Sequence, residues 1–334
     1  MSETTPQLLQ EPTPHEALQA IKNELVMSAA MPGEFADVLA IAGGLSHDSA
    51  VIFDGPPGTG KTYIAKALAI VIGAEIGRVQ GTPDIQPSDI TGVEIFNMAT
   101  RQMEFRPGPI FKNVFFHDEW TRSGPRPVSG QLQGMAEGFV TVGGIDRKLP
   151  ENHLVIVTQN AQSFAQGTSP VPDAAADRFG FSIEMPKQDS ETKKEIRRKK
   201  LHVPSQRIVG AEVSPRIRAA AEGIHVEGEL DDGALEVIEK LAEHPAVDKE
   251  ATFLDGYRSY EQMIRYGQAM ALLKGHEIMT PLDIFTIGRY ALRHRVVIDF
   301  DRADSITFDE LYTNVVRSLP DIDEAKYSSQ DKVA

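Results

Sequence analysis

Three short runs of almost continuous hydrophobic residues stand in the first half of the chain, and each is followed by polar or glycine-rich sequence. The runs begin at Ala50, Val114 and Leu154 and read AVIFD, VFF and LVIVT. Strands that are buried on both faces have this pattern, whereas half-exposed antiparallel strands alternate between apolar and polar residues. The pattern therefore predicts an α/β fold in which helices cover both faces of a parallel sheet.

Two further segments have the character of β-hairpins inserted into this core. Residues 93–105 place a short strand on either side of NMATRQ, and residues 139–149 contain the pair Gly143 and Gly144. Beyond Pro186 the hydrophobic positions recur at helical spacing. We therefore expect β-hairpin insertions in the first half and an all-α second half.

These patterns divide the chain into two domains, a linker and two tails. The last predicted helix, ELYTNVVRSL, has a clear start, because Thr307 and Glu310 have the spacing of a capping box. The predicted parts are a disordered tail over 1–16, an αβα domain over 17–188, a linker over 189–212, a helical lid domain over 213–318 and an acidic tail over 319–334.

Composition and charge narrow the class of protein. Of the 334 residues, 41% are hydrophobic, 25% are charged and none is cysteine, which excludes disulfides and cysteine-bound zinc. With neither a long apolar run nor the features of a signal peptide, the chain is expected to be cytoplasmic and without a membrane span. The formal net charge of −14 repels nucleic acid. The basic run over 193–200 is better explained as a solvated helix face, because Glu195 interrupts it.

Residues 55–62 read GPPGTGKT, which matches G-x-x-x-x-G-K-[ST] in full and lies between a predicted strand and a predicted helix. In such a loop, backbone amides and the helix N-terminus surround a phosphate group. Lys61 would reach the β- and γ-phosphate oxygens, and Thr62 would offer its hydroxyl to Mg²⁺. The loop predicts a nucleoside triphosphate site, and the residues assigned to it are Gly55, Pro56, Pro57, Gly58, Thr59, Gly60, Lys61, Thr62 and Tyr63.

Two acidic residues follow the second hydrophobic run. Asp118 and Glu119 would lie at the carboxyl end of a strand in the same sheet as the loop, where ligands bind in such folds. Phosphoryl transfer needs a carboxylate that holds the metal and a group that prepares the water. Asp118 is the candidate Mg²⁺ ligand and Glu119 the candidate catalytic base. An acidic pair is also common in loops and helix caps, and the phosphate loop favours the catalytic interpretation.

Three more residues are candidates for the same chemistry. Asn160 follows the third hydrophobic run, where its amide could orient the attacking water, although Asn is also a common turn residue. Arg178 in DAAADRF is too far along the chain to reach its own nucleotide by simple strand order. Arg258 in GYRSYEQ opens a predicted lid helix. Either arginine could equally be an ordinary surface residue.

Taken together, GPPGTGKT, FFHDEW, TQN, the DRF arginine and the helical second half resemble the AAA+ ATPases. Within these, GTPDIQPSDITG, EFRPGPIF, VTVGG, PDAAADRF, VSPRIRAAAEGIHV and ALRHRVV are similar to the MoxR family. The resemblance extends from about Ala50 to Val297. The chain departs from the family where DEWTRS replaces the usual DEINRA, so that Trp120 is unusual, and where GYRS replaces SPRA at the second sensor.

The resemblance implies an ATP-dependent remodeller that works with Mg²⁺ as a homo-oligomeric ring, usually a hexamer, with each nucleotide at a subunit boundary. By position it assigns the first sensor to Asn160, the finger that reaches a neighbour's γ-phosphate to Arg178, and the second sensor to Arg258, in its own subunit or in a neighbour. The two hairpins would face the pore. Family members often pair with a von Willebrand A-domain partner and help to mature metal-containing enzymes or other complexes.

Three functions are compatible with these observations. The first is a hydrolysing remodeller or chaperone of a protein client, the second an assembly scaffold that binds ATP with little turnover, and the third a DNA-directed motor. Glu119 favours the first over the second, because a pure switch needs no base beside the metal. The negative charge, without a basic stripe, counts against the third.

Overall fold

The computed structural model describes residues 11–29, 31–46, 49–160, 175, 177–185, 213–249, 252, 254, 257–299 and 306–319. The predicted linker over 189–212, with its basic run over 193–200, lies outside the described residues. So do residues 1–10 of the first tail and 320–334 of the acidic tail.

Nine strands are described in these parts of the chain. They are β1 (Val51–Asp54), β2 (Ile76–Gln80), β3 (Gly92–Asn97), β4 (Gln102–Pro107), β5 (Val114–Asp118), β6 (Phe139–Val142), β7 (Ile145–Lys148), β8 (Leu154–Gln159) and β9 (Phe181–Glu184). Five of them form a parallel sheet in the order β2-β5-β8-β1-β9. The three hydrophobic runs are its central strands β5, β8 and β1, which confirms the predicted parallel sheet.

The two predicted hairpins are also present, as the antiparallel pairs β3-β4 and β6-β7. A side chain of one hairpin joins it to the other. Arg147 on β7 forms an ion pair with Glu94 on β3 at 2.7 Å, and its guanidinium carbon lies 3.9 Å from the ring centre of Phe105 on β4. The insertions therefore contact each other rather than projecting independently.

Ten α-helices are described. They are α1 (Pro14–Ala29), α2 (Gly33–Leu45), α3 (Lys61–Val71), α4 (Pro87–Thr91), α5 (Pro125–Glu137), α6 (Val213–Glu222), α7 (Gly228–Glu243), α8 (Tyr257–Lys274), α9 (Pro281–Leu292) and α10 (Phe308–Arg317). α1 begins at Pro14, inside the segment 1–16 that we assigned to the tail. The reason is local, because Thr13 and Glu16 cap the helix through reciprocal hydrogen bonds of 2.8 and 3.2 Å.

Alternate residues of each central strand pack on opposite faces of the sheet. Phe116 and Ile156 belong to the core shared with α1, α2 and α3, whereas their neighbours Phe115 and Val155 belong to the core that includes Val128 of α5. Because both faces are covered, the consecutive positions 51–53, 114–116 and 154–157 are all apolar, and polar residues follow only at the carboxyl ends of these strands. This explains why the hydrophobic runs are continuous.

Where the structure describes it, the second half contains helices and no strand, as predicted. Helices α7 to α10 share a hydrophobic core of their own, which includes Leu241, Met263, Ile284 and Leu311. The capping box that opens α10 is confirmed, since the backbone amide of Thr307 donates to the Glu310 carboxylate at 2.9 Å. The domain limits given above stay predictions. Across the described residues, no helix is both long enough and apolar enough to cross a membrane.

Candidate active site

The phosphate loop joins the carboxyl end of β1 to the start of α3. Gly55, Gly58 and Gly60 within it have φ angles of +138°, +82° and +92°, a region that side chains other than glycine rarely adopt. Gly60 is the N-cap of α3, and no described side chain caps this helix. The first amides of α3 lack intrahelical acceptors. The turn therefore presents backbone donors and the positive end of a helix dipole to an anion.

Lys61 lies inside this turn. Its Nζ donates to the carbonyl oxygen of Gly55 at 2.5 Å and to that of Pro56 at 3.0 Å. Burial lowers the pKa of Lys61 from its usual 10.5, while the carboxylates at the ends of β1 and β5 oppose that shift. The lysine cation therefore lies between the loop and the acidic residues of the sheet, where a phosphate group needs a counter-charge.

Thr158 on β8 positions both acidic candidates. Its Oγ1 donates to Asp118 Oδ1 at 2.7 Å and accepts from the backbone amide of Glu119 at 2.7 Å. Thr158 is fully buried, and β8 is the direct neighbour of β5 in the sheet. The hydroxyl thus fixes the carboxylate of one residue and the backbone of the next. The sequence alone indicates only that a strand ends here, and it predicts no role for Thr158.

The backbone turns sharply at Glu119. Its φ of 52° and ψ of 44° are left-handed, which is uncommon for a residue with a side chain and is concentrated at functional sites. Gly81 makes this turn possible, because a Cβ atom there would lie 2.2 Å from the carbonyl oxygen of Glu119. The amide of Gly81 donates to the carbonyl oxygen of Asp118 at 2.7 Å. Gly81, which directly follows β2, therefore stabilises the left-handed backbone conformation of Glu119.

Further polar contacts at this edge were missed by the sequence analysis. Arg78 on β2 donates to Asp118 Oδ2 at 2.7 Å, and Gln80 donates to Glu119 Oε2 at 3.3 Å. Arg122 also donates to Glu119 Oε2, at 2.5 Å. The available signal was the alternation in IGRVQ, which indicates an edge strand with polar side chains near its carboxyl end.

The oxygen atoms at this edge suit Mg²⁺. Thr62 Oγ1 lies 3.4 Å from Asp118 Oδ2, so a hydroxyl and a carboxylate face the same space. Mg²⁺ is usually held by one or two carboxylates together with substrate phosphates and water, not by a cage of protein ligands. Consistent with this, the described residues contain no group of three or more His, Asp or Glu that could hold a metal by themselves.

Asn160 and Tyr63, the two remaining candidates near the loop, have different surroundings. Asn160 follows β8, which lies between β5 and β1, so its backbone is at the same carboxyl edge as the loop and the acidic pair. The hydroxyl of Tyr63 instead donates to the carbonyl oxygen of Ser28 in α1 at 2.8 Å. Tyr63 thus ties α3 to α1, and its assignment to the nucleotide stays a prediction.

Arg178 and Arg258 lie together, away from this edge. Arg178 precedes β9, whose first residue Phe181 pairs with Val51 at the amino end of β1, whereas the phosphate loop follows the carboxyl end of β1. Because the strands are parallel, the backbone of Arg178 is at the opposite edge of the sheet from its own loop. Arg258, in the first turn of α8, forms an ion pair with Asp177, the residue before Arg178.

A parallel sheet with this loop, an acidic pair at the same edge and an attached helical domain define a P-loop nucleoside triphosphatase with a lid. Comparison with known proteins gives the same class. Residues 50–181 match the model of the ATPase family associated with various cellular activities (AAA), and residues 251–314 match the AAA lid domain.

Similar proteins narrow the class further. The chain is 33% identical over 252 residues to the uncharacterized protein YeaC of Bacillus subtilis, which covers 74% of this chain and 77% of YeaC. It is 29% identical over 285 residues to chaperone MoxR1 of Mycobacterium tuberculosis, covering 83% and 75% of the two chains. It is 26% identical over 274 residues to protein MoxR of Paracoccus denitrificans, covering 74% and 79%.

A solved structure agrees with these relatives. The crystal structure of a protein from Cytophaga hutchinsonii, named as an ATPase, superimposes with a TM-score of 0.76 at 25% identity and covers 92% of this chain and 95% of that one. The chain therefore belongs to the MoxR family of AAA+ ATPases. It is an ATPase with the predicted αβα core and helical lid.

Proposed function

We propose that this ATPase assembles into a ring, usually of six chains, and uses ATP hydrolysis to remodel a protein client. The observation that carries the proposal is the position of Arg178 at the sheet edge opposite its own phosphate loop. An arginine placed there has no task at its own nucleotide, but in a ring it can reach the nucleotide of the next subunit. Arg258, paired with Asp177 beside it, is proposed to act from the same side.

The proposed chemistry divides among residues at the loop edge. Lys61 binds the β- and γ-phosphate oxygens of ATP, and Thr62 and Asp118 hold Mg²⁺. When bound, the metal neutralises charge on the phosphates and orients them. Glu119 accepts a proton from the attacking water, and Asn160 orients that water. Arg178 of the adjacent subunit stabilises the charge that develops on the transferred phosphoryl group.

The two hairpins are the proposed contact surface for the client. They carry large apolar side chains with unusually high exposure, and these are Phe96 at 51%, Met98 at 82%, Met103 at 57% and Ile145 at 54%. Apolar side chains exposed in one region favour contact with a protein partner. Since Arg147 links the hairpins, both would move together during the ATPase cycle.

The resemblance supports two further parts of the proposal. One relative bears the name chaperone MoxR1, and MoxR proteins are often paired with a von Willebrand A-domain partner. We propose such a partner here, with a metal-containing enzyme or another complex as client. A cytoplasmic location is proposed as well.

Assembly of the Glu119→Gln variant tests the ring directly. This variant should bind ATP together with Mg²⁺ and should not hydrolyse the ATP. Sedimentation should therefore give the mass of six chains when ATP is present and the mass of a smaller species when it is absent. Lys61→Ala is the control, because on its own it binds no ATP and should stay unassembled in either condition. A Glu119→Gln variant that binds ATP and stays monomeric would contradict the proposal.

A further inference from the structure

Residues 177–179, which precede β9, are held by the lid. Arg295 lies in the short 3₁₀ helix Arg293–Arg295 that follows α9. Its Nη2 lies 3.0 Å from the carbonyl oxygen of Asp177 and 3.2 Å from that of Phe179. These carbonyls belong to the residues immediately before and after Arg178. One guanidinium group therefore bonds the backbone on both sides of Arg178.

Arg295 is itself fixed by α8. Its side chain is completely buried, its Nη1 donates to Ser259 Oγ at 2.6 Å, and its Nη2 donates to Gln262 Oε1 at 2.6 Å. Both partners are side chains of α8. Because these contacts orient the guanidinium group, the position of residues 177–179 depends on the packing of the lid.

Stability alone does not account for a buried arginine at this place. A buried ion often contributes no more than a hydrophobic side chain of similar volume, since the loss of hydration offsets the attraction to its partner. The acidic partner of Arg295 is Asp177, whose Oδ1 lies 3.7 Å from Nη2 and which is part of the same segment. What arginine adds over a hydrophobic residue is a planar set of donors that fixes several acceptors at once.

Phe179 is held from two more directions. His294 Nε2 donates to its carbonyl oxygen at 3.0 Å. On the other side, the ring of Phe179 packs against Trp120, which follows the acidic pair, with ring centres 5.2 Å apart. Arg178 thus belongs to the short segment 177–179. The lid binds the backbone of this segment, and the core packs against its Phe179 side chain.

We propose that Arg295 is a positioning residue for ATP hydrolysis, which fixes the backbone that carries Arg178 so that Arg178 reaches the γ-phosphate bound by the neighbouring subunit. This inference rests on the proposed role of Arg178 in the neighbour's site. A misplacement of about 1 Å can reduce a rate on the order of 10²-fold. Loss of Arg295 should therefore resemble loss of Arg178 and leave nucleotide binding at its own loop intact.

The test asks whether the loss of Arg295 impairs the nucleotide site of its own subunit or the arginine that its subunit contributes to the neighbouring site. Arg295→Met removes the donors at similar length, and Arg295→Lys keeps the charge without the planar fork. Arg293→Met is the matched control, because Arg293 lies in the same turn but pairs with Asp309 of α10 and with Glu184 of β9 instead of with residues 177–179. Each variant is assayed alone for nucleotide affinity and turnover, and then in mixtures with Lys61→Ala and with Arg178→Ala.

Alone, Arg295→Met should lose about 10²-fold in kcat while its nucleotide affinity changes by less than about twofold. Arg295→Lys should fall between it and the parent, and Arg293→Met should match the parent. Mixing Arg295→Met with Lys61→Ala, which carries an intact Arg178, should restore activity. Mixing it with Arg178→Ala should restore none, since neither protein then supplies a functional finger.

Two results would overturn the proposal. If Arg178→Ala restores the activity of Arg295→Met, the defect lies at the variant's own nucleotide site. If neither Arg178→Ala nor Lys61→Ala restores activity, Arg295 supports the overall structure and does not specifically position Arg178. The mixture of Lys61→Ala with Arg178→Ala separates this failure from that of the proposed function. If that reference mixture is also inactive, the shared site itself is refuted, and the inference about Arg295 falls with it.

Discussion

The indole ring of Trp120 packs edge-on against Phe179, with ring centres 5.2 Å apart and an interplanar angle of 65°. Trp120 directly follows Glu119, and Phe179 directly follows Arg178. The Trp120 Nε1 also donates to Gln159 Oε1 at 3.3 Å. The residue that departs from the family pattern is therefore a buried link between the catalytic edge and the segment that carries the proposed finger.

Trp120→Ala should lower the free energy of unfolding by about 3–5 kcal/mol, because it removes a side chain that is only 1% exposed and leaves a cavity. Trp120→Phe should cost less, since it retains an aromatic contact and loses the bond to Gln159. Urea denaturation measures both. Phe96→Ala, at an aromatic residue that is 51% exposed, is the control and should change stability by less than about 0.5 kcal/mol. Equal losses in Trp120→Ala and Phe96→Ala would refute this account of Trp120.

The sheet and the phosphate loop could be predicted because their signals are local. Continuous apolar runs indicate strands that are covered on both faces, and the motif GPPGTGKT by itself predicts a phosphate-binding loop between a strand and a helix. The edge strands β2 and β9 were not predicted. β2 alternates between buried and exposed positions, and β9 reads FSIE, in which Ser182 interrupts the apolar residues, so neither produces a hydrophobic run.

The contacts that organise the site could not be predicted from the sequence. Arg295 and Asp177 are 118 positions apart in the sequence, so no local sequence pattern predicts their contact. The same is true of Thr158 and Asp118, whose bond depends on the order of strands in the sheet. Sequence motifs therefore predict which residues carry the chemistry, whereas the residues that position them are visible only in the tertiary structure.

Lys61→Ala should abolish nucleotide binding, because it removes the mobile cation from the phosphate loop. Titration with a fluorescent ATP analogue measures this. Lys66→Ala, at an exposed lysine of the same helix, is the matched control and should bind as the parent does. Undiminished affinity in Lys61→Ala would mean that residues 55–62 are not the site.

Glu119→Gln should retain ATP and reduce turnover by about 10²-fold or more, the usual scale for loss of a catalytic base. Steady-state phosphate release and nucleotide retention after gel filtration measure the two effects. Glu151→Gln, at an exposed position, serves as the control. Parent-like phosphate release in Glu119→Gln would favour the assembly scaffold over the remodeller.

Two histidines, the buried His117 and the half-buried His294, should make the protein less stable in mild acid. Burial lowers the pKa of His117, which contacts Gln131 and Ser123, and lowers that of His294 well below 6.5. As the pH falls below about 6.5, the unfolded chain binds more protons at these positions than the folded chain does. The free energy of unfolding should therefore decrease with falling pH, by up to about 1.4 kcal/mol per pH unit for each histidine.

Chemical denaturation of the parent and of His117→Gln and His294→Gln, between about pH 7 and pH 5.5, measures this effect. Each variant should show a shallower dependence of stability on pH than the parent. A slope that is unchanged in both variants would show that neither histidine is responsible.

The most direct test of the shared site mixes two inactive variants. Arg178→Ala should bind ATP normally and hydrolyse it about 10³-fold more slowly or worse, and Lys61→Ala should not bind it. In a mixed ring, some boundaries combine the intact loop of Arg178→Ala with the intact arginine of Lys61→Ala. We predict that phosphate release reappears at intermediate ratios and vanishes at either extreme. If mixed assemblies form and no ratio restores hydrolysis, Arg178 does not act across the subunit boundary.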